Sequence, residues 1–153
     1  MGQTVAVNRK ARHDFKIEDT LEAGIALTGT EVKSVRKGEL NLQDAFARIE
    51  HGEAWLIGMH VAPWAGGNRN NHEPRRERKL LLHRMQIDQL VGKTRNPGMT
   101  IVPLSVYIND RGKAKVQIGV ARGKKNYDHR RDIAARDAKR DMDREISSAL
   151  RGR

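Results

Sequence analysis

Hydrophobic and polar residues alternate in several short stretches of this chain. The clearest begins at Phe15, where odd positions are mostly apolar and even positions mostly polar or charged as far as Leu27. A period of two is typical of a strand that buries one face and exposes the other. Turn sequences such as His51-Gly52-Glu53 separate neighbouring stretches and indicate antiparallel hairpins. The predicted strands cover residues 15–27, 45–49, 54–61, 100–108 and 114–120.

The alternation also assigns an inward face to each strand. The alternate residues from Trp55 to Val61 share a face, so we expect Trp55 to lie in the core. In the last hairpin the same rule points Lys113, Lys115 and Gln117 to solvent. Such a row suits an RNA phosphate backbone, and it equally suits a solubilising surface. The residues expected inward in this hairpin are Val102, Leu104, Val106, Ile108, Ala114, Val116, Ile118 and Val120.

Two short helices interrupt the predicted strands. Thr28 and Glu31 have the spacing of a capping box, so we expect Glu31 to be structural rather than ligand-binding. This first helix points Lys33 outward and ends at Gly38. A second helix is predicted from His83 to Val91, with Met85, Ile87, Leu90 and Val91 as candidate buried positions. The whole pattern predicts a mainly β fold with short helices, an OB-fold-like closed antiparallel barrel of about six strands.

The charge of the chain points to a polyanionic partner. The 153 residues carry a net charge of +11, with a pI near 10.4. Basic proteins bind phosphate backbones by releasing condensed counterions. Residues 1–8 have few side chains that could pack, and we expect them to be mobile. The segment NRKARH, 8–13, suits phosphate contacts through Arg9, Lys10 and Arg12, although a solvated terminus has the same composition.

The last 31 residues differ in composition from the rest. We therefore divide the chain into an N-terminal arm (1–13), a barrel (14–122) and a C-terminal tail (123–153). The tail contains opposite charges at helical spacing, but its apolar stripe is thin. We expect it to be disordered when free and helical on a partner, with a helix packed on the barrel as the alternative.

No catalytic or cofactor-binding pattern was found in the sequence. The chain has no cysteine, and its six histidines lack metal-ligand spacing. Val91-Gly92-Lys93-Thr94 ends like a phosphate-binding loop, but the upstream glycine position is Ile87. No apolar run is long enough to span a membrane. We expect a monomeric cytoplasmic protein that binds RNA, without enzymatic activity, cofactor or membrane contact.

Several motifs occur together in an order that one family shares. They are NRKARH (8–13), EAGIALTGTEVKSVRKGELNLQDAF (22–46), RKLLL (78–82), KVQIGVARGKK (115–125) and the charged tail. On these the chain resembles the SsrA-binding protein family, also called small protein B, the partner of transfer-messenger RNA (tmRNA). The resemblance implies an OB-fold barrel that binds the tRNA-like domain of tmRNA and delivers it to stalled ribosomes for trans-translation.

The resemblance also implies which residues contact RNA. Glu22 matches the glutamate of the EAG motif, Leu81 the middle leucine of RKLLL, and Lys115 the lysine before IGVA. Glu22 is chemically unusual there, but a carboxylate can accept hydrogen bonds from base amino groups. The barrel residues expected to bind RNA are Asn8, Arg9, Lys10, Arg12, Glu22, Lys33, Leu81 and Lys115.

For the tail, the resemblance implies contact with the ribosome. The tail would occupy the decoding region of the small-subunit rRNA and the empty mRNA channel. His129 departs from the commoner lysine of the family, and Tyr127 is placed to stack on a base. The expected ribosome-binding residues are Lys124, Lys125, Tyr127, Asp128, His129 and Arg130.

Two alternatives remain from the residues alone. One is a generic OB-fold RNA-binding or ribosome-associated protein. The absence of an exposed aromatic ladder from the predicted strands argues against it. The other is a nucleotide-using enzyme, which hydrolysis of a bound triphosphate would reveal.

Overall fold

The computed structural model describes residues 2–123, apart from the side chains of residues 68–70. Short strands dominate this part of the chain. Three α-helices interrupt them: α1 (Arg9–Asp14), α2 (Gly29–Arg36) and α3 (Arg84–Lys93), with a 3-10 segment at Ala65–Asn70. The strands are β1 (Gln3–Val7), β2 (Phe15–Ile25), β3 (Leu40–Asn41), β4 (Phe46–Glu50), β5 (Glu53–Ile57), β6 (His60–Val61), β7 (Arg78–Leu81), β8 (Met99–Ile108) and β9 (Ala114–Gly123).

Six strands close into a ring. Their order is β8-β4-β5-β7-β2-β9, and β9 pairs with β8 to complete the circle. All the pairings are antiparallel. The β4–β8 seam is held by one registered pair, Ala47 with Ile101, whereas β9 runs along almost the full length of β2 and β8. The predicted closed antiparallel barrel of about six strands is therefore confirmed.

The barrel encloses the main hydrophobic core. Leu56, Leu80, Val116 and Ile118 have essentially no exposed surface within it. A second cluster lies outside the ring, where α1 covers Val102, Leu104 and Ala121 through Ala11. A shift of register between Pro103 and Ser105 changes which residues of β8 face inward, so Ile101 and Val106 lie in the main core while Val102 and Leu104 lie under α1. The prediction that Val102 and Leu104 share the inner face with Val106 is thus wrong, although all three are buried.

Three other predictions also differ from the structure. The N-terminus is not mobile throughout, because Gln3–Val7 pair with β8 as β1. Trp55 is not in the core: Ala54 and Leu56 point inward, so Trp55 lies half-buried on the outer face. In α3 only Ile87 and Leu90 are buried, whereas Met85 is 71% exposed. The first error arises because β1 is ordered by pairing with the distant β8. The other two arise because short apolar runs do not reveal which of two faces is covered.

Glu31 of α2 is fully buried, and ion pairs hold it there. It accepts a hydrogen bond from the Thr28 N–H at 2.8 Å, as the predicted capping box requires. Its two carboxylate oxygens also pair with Arg76 at 2.6 Å and with the fully buried Arg78 at 2.6 Å. Burial would raise the pKa of Glu31, but the hydrogen bonds from Arg76, Thr28 and Arg78 lower it to about 2. Glu31 is therefore structural, as the capping box predicted, and it also ties α2 to β7 through Arg78.

Candidate nucleic-acid interface

One row of side chains crosses the outer face of four neighbouring strands. Tyr107 of β8 is registered with Lys115 of β9, Lys115 with Gly24 of β2, and Gly24 with Leu81 of β7. Registered residues on adjacent antiparallel strands point to the same side of the sheet. The barrel thereby brings together residues that lie far apart in the sequence.

These side chains line an open groove on the barrel surface. Glu22, Gly24, Leu81 and Lys115 form one part of its wall. Lys79 of β7 and Glu53 of β5 form another, joined by an ion pair of 3.0 Å. His83, Arg84 and Gln86 at the start of α3 also line the groove. The groove thus combines a cation, a carboxylate and an apolar side chain within one concave surface.

Leu81 gives the groove its apolar surface. This side chain is 51% exposed, although leucine usually lies in a core. Gly24 makes room for it, because a Cβ atom at position 24 would lie 3.2 Å from the Leu81 Cβ. The glycine inside a strand therefore marks a close approach between neighbouring strands. Leu81 is positioned to make an apolar contact with a bound molecule.

Glu22 is exposed, and a neighbour holds it in place. The Tyr107 hydroxyl donates a hydrogen bond to Glu22 Oε2. The phenol reaches Glu22 across β9, because Tyr107 is registered with Lys115 and Glu22 with Gln117. The other carboxylate oxygen, Oε1, can therefore accept a hydrogen bond from a base amino group.

The residues of the predicted arm lie apart from this groove. Asn8 is only 4% exposed and caps α1: its Oδ1 accepts from the Ala11 N–H at 3.1 Å. Its Nδ2 donates to Leu42 O at 3.1 Å and to Pro103 O at 2.9 Å. The amide of Asn8 thus bonds within the protein, and its place is at the base of the helix that carries the basic residues.

Three basic residues are exposed on α1. Arg9 and Arg12 face solvent, and Lys10 pairs with Asp44 at 2.7 Å. The hydrogen bond from Lys10 to Asp44 raises the pKa of the lysine, so its charge persists throughout the physiological range.

Lys33 lies on a third part of the surface. It is exposed on α2, with its Nζ 5.6 Å from the centre of the Trp64 ring. The groove residues therefore come together, whereas α1 and α2 present the arm residues and Lys33 separately. Six of the predicted residues fall outside the described part of the chain: Lys124, Lys125, Tyr127, Asp128, His129 and Arg130.

Residues 2–123 contain neither a metal-ligand cluster nor a membrane-spanning helix. Within this range no three His, Cys, Asp or Glu side chains are grouped so as to hold a metal ion. No helix in the same range is long and apolar enough to cross a membrane.

The sequence-based reasoning missed Tyr107, and a signal for it was present. Tyr107 lies between the inward-pointing Val106 and Ile108, so the alternation along β8 places it on the outer face, where the register puts it opposite Lys115. The role of Gly24 could also have been suspected, because glycine is unfavourable inside a strand unless backbones or side chains approach closely. Trp55, by contrast, carried no signal for its outward orientation.

A closed antiparallel barrel with a polar groove on its outer face is the architecture of small β-barrel proteins that bind nucleic acids. The family model described as SmpB protein matches residues 5–148 of the chain. The chain therefore belongs to the SmpB family.

Individual relatives agree with this assignment. The chain is 59% identical to the SsrA-binding protein of Desulforamulus reducens over 142 residues, which cover 93% of this chain and 88% of the relative. It is 57% identical to the SsrA-binding protein of Moorella thermoacetica over 156 residues, covering 100% and 98%. For Salinispora tropica the identity is 61% over 142 residues, covering 93% and 89%.

A solved structure has the same fold. The match is to a chain described as "tmRNA-SmpB: a journey to the center of the bacterial ribosome", with a TM-score of 0.67 and 52% sequence identity. It covers 78% of this chain and 83% of the solved one.

Proposed function

We propose that this protein binds the tRNA-like domain of tmRNA and delivers it to stalled ribosomes for trans-translation. The proposed process rescues the ribosome and tags the unfinished protein for proteolysis. The observation that carries the proposal is the meeting of Glu22, Leu81 and Lys115, which belong to three separate sequence motifs, in one groove. The chemistry is recognition rather than catalysis, and the place of action is the cytoplasm.

Each groove residue has a distinct part in this recognition. Lys115 forms no ion pair with a carboxylate of the described residues. Its ammonium group is therefore available to neutralise a backbone phosphate. Glu22 accepts a hydrogen bond from a base amino group through its Oε1 atom. Leu81 packs against a ribose or base that lies over Gly24. Such a mixture favours a folded RNA surface over a uniform single strand, because the three contacts need fixed relative positions.

The basic face of α1 adds contacts with phosphates. Arg9, Lys10 and Arg12 provide these, and Asn8 acts by holding the start of the helix through its three hydrogen bonds. Lys33 on α2 contributes from another side. The basic residues of the arm thus supply electrostatic affinity for RNA, and the groove supplies specificity.

The tail carries the second half of the proposed function. We assign ribosome binding to the segment from Lys124 to Arg130, on sequence alone, with the decoding region and the mRNA channel as its location. The relevant experiment is reconstituted tagging of stalled ribosomes by the full chain and by a chain ending at Gly123. The shortened protein should bind the tRNA-like domain normally and fail to support tagging. Full tagging by the shortened protein would refute the role of the tail.

One observation favours a second candidate, a generic RNA-binding barrel. Trp55 lies on the outer face of β5, registered with Arg48 on one side and Lys79 on the other. Aromatic side chains in such places stack with unpaired bases. Tighter binding to unstructured RNA than to the tRNA-like domain would favour this candidate.

A further inference from the structure

Three cations on the outer side of α2 have no acidic partner among residues 2–123. Lys33, Arg36 and Lys37 are all exposed. None of them forms an ion pair with any residue of the described range. Elsewhere on the barrel, cations are commonly paired with carboxylates, as in Lys10–Asp44, Lys79–Glu53, Lys93–Asp19 and Arg122–Glu18. With Trp64, these three residues form what we call the α2 cluster.

Trp64 gathers the two lysines of the α2 cluster. The Nζ atoms of Lys37 and Lys33 lie 4.6 Å and 5.6 Å from the centre of its ring. Two lysines four residues apart on a helix repel each other. The electron-rich face of an indole offsets part of this repulsion. The arrangement therefore keeps two positive charges close together without neutralising them.

Trp64 is held through its backbone and packed on one side of its ring. The Asn71 side chain accepts a hydrogen bond from the backbone N–H of Trp64 at 2.9 Å and donates one to the Trp64 carbonyl at 2.6 Å. Gly66 lies so close that a Cβ atom there would be 2.8 Å from the indole nitrogen. A ring held in this way, with its face occupied by lysines, is better suited to position the lysines than to stack with a base.

Arg36 connects the cluster to the barrel near the groove. Its Nη2 atom donates to the carbonyl of Gly112 at 3.2 Å. Gly112 lies three residues before Lys115 in the turn that leads into β9, so the two are separated by at most roughly 10 Å. An RNA backbone that leaves Lys115 could therefore reach Arg36 within two or three nucleotides.

We propose that the α2 cluster is a second phosphate-binding surface, which binds consecutive phosphates of an RNA backbone, and that Trp64 positions its lysines. This inference rests on the proposed function for its partner, an RNA. It goes beyond that function because it assigns Arg36, Lys37 and Trp64 to RNA binding and gives Trp64 a role other than base stacking.

The first test measures how RNA affinity depends on salt. The double variant Lys33→Gln/Lys37→Gln is compared with the wild type on the tRNA-like domain of tmRNA and on isolated small ribosomal subunits. The logarithm of the binding constant falls linearly with the logarithm of the salt concentration, and each lost phosphate contact should make this slope less steep by about 0.7 to 0.9. We therefore expect the slope to fall by about 1 to 2 with one of the two RNAs, which also identifies the partner.

A matched control removes the same charge elsewhere. Lys93→Gln/Arg122→Gln also removes two cations, but both are paired, with Asp19 and Glu18 respectively. The control should leave the slope unchanged. If both double variants reduce the slope equally, or neither does so on either RNA, the proposal is wrong. Failure of the proposed function would appear separately, as a wild-type protein with no preference for the tRNA-like domain.

The second test follows Trp64 directly. The chain has two tryptophans, so Trp55→Phe leaves Trp64 as the sole indole fluorophore. Inorganic polyphosphate, which has no bases, should change this fluorescence saturably by drawing the lysines away from the ring. The change should disappear when Lys33→Gln/Lys37→Gln is added. A response to poly(A) without any response to polyphosphate would instead make Trp64 a stacking residue and overturn its proposed role.

Discussion

Glu31→Gln is the substitution whose effect can be worked out most fully from the structure. The variant keeps the shape of the side chain but removes the charge that faces Arg76 and Arg78. Arg78 has no exposed surface, and its other hydrogen bonds go to carbonyls such as Met59 O at 2.9 Å and Pro74 O at 3.1 Å. Replacing Glu31 leaves the buried Arg78 without its paired carboxylate, a change that typically costs about 3 to 5 kcal/mol.

The pKa of Glu31 gives a second figure for the free energy that its ion pairs contribute to folding. The group titrates at about 2 in the folded protein, against an ordinary value of 4.5. That difference, at about 1.4 kcal/mol for each pH unit, corresponds to about 3 kcal/mol. Because folding lowers the pKa, the stabilisation is complete above about pH 5 and is lost as the pH falls toward 2. At pH 3 roughly 1 kcal/mol should remain.

Urea unfolding at pH 7 and at pH 3 tests both values. We expect Glu31→Gln to lower the free energy of unfolding by about 3 kcal/mol at pH 7, and by clearly less at pH 3. The exposed Glu39, just beyond α2, gives a matched control, and Glu39→Gln should change stability by less than about 0.5 kcal/mol. A loss at pH 7 no larger than that of the control, or a loss independent of pH, would refute the reasoning.

Three further predictions concern the groove and the arm. Tyr107→Phe keeps the ring but removes the hydrogen bond to Glu22, so it should lower the preference for the tRNA-like domain over alanine tRNA as much as Glu22→Gln does; unchanged preference would contradict this. Gly24→Ala should displace Leu81 and weaken RNA binding several-fold in a titration, with a stability loss of only about 1 kcal/mol in urea; wild-type affinity would contradict the proposed contact. Asn8→Ala removes three buried hydrogen bonds, those with Ala11 N–H, Leu42 O and Pro103 O, and should lower the unfolding free energy by about 2 to 3 kcal/mol; a loss below about 0.5 kcal/mol would show that Asn8 is not needed for folding.

The sequence predicted those features of the fold that depend on local order. The long hairpin of β8 and β9, the capping box at Thr28 and the end of α2 at Gly38 all follow from short-range patterns, and the structure confirms them. The closed barrel followed from the number and spacing of strands. The alternation failed where a strand is covered on both sides, as at Val102 and Leu104 under α1.

The candidate groove was predictable only in part. The family resemblance gave Glu22, Leu81 and Lys115, but no local pattern could show that they share one surface, because their meeting depends on the strand order β9-β2-β7. The pairing of Glu31 with Arg76 and Arg78, some 45 residues later in the chain, could not be read from sequence for the same reason. The outward orientation of Trp55 depended on the register of β5, which apolar composition does not fix.

The most direct test of the central proposal is competitive binding of the tRNA-like domain of tmRNA against a full alanine tRNA over a range of salt concentrations. Contacts made by the groove depend on shape, whereas attraction to a net charge of +11 alone weakens for both RNAs as salt rises. We expect a preference for the tRNA-like domain that persists at high salt. Equal binding of the two RNAs, lost together as salt rises, would contradict the proposal and leave a generic RNA-binding barrel in its place.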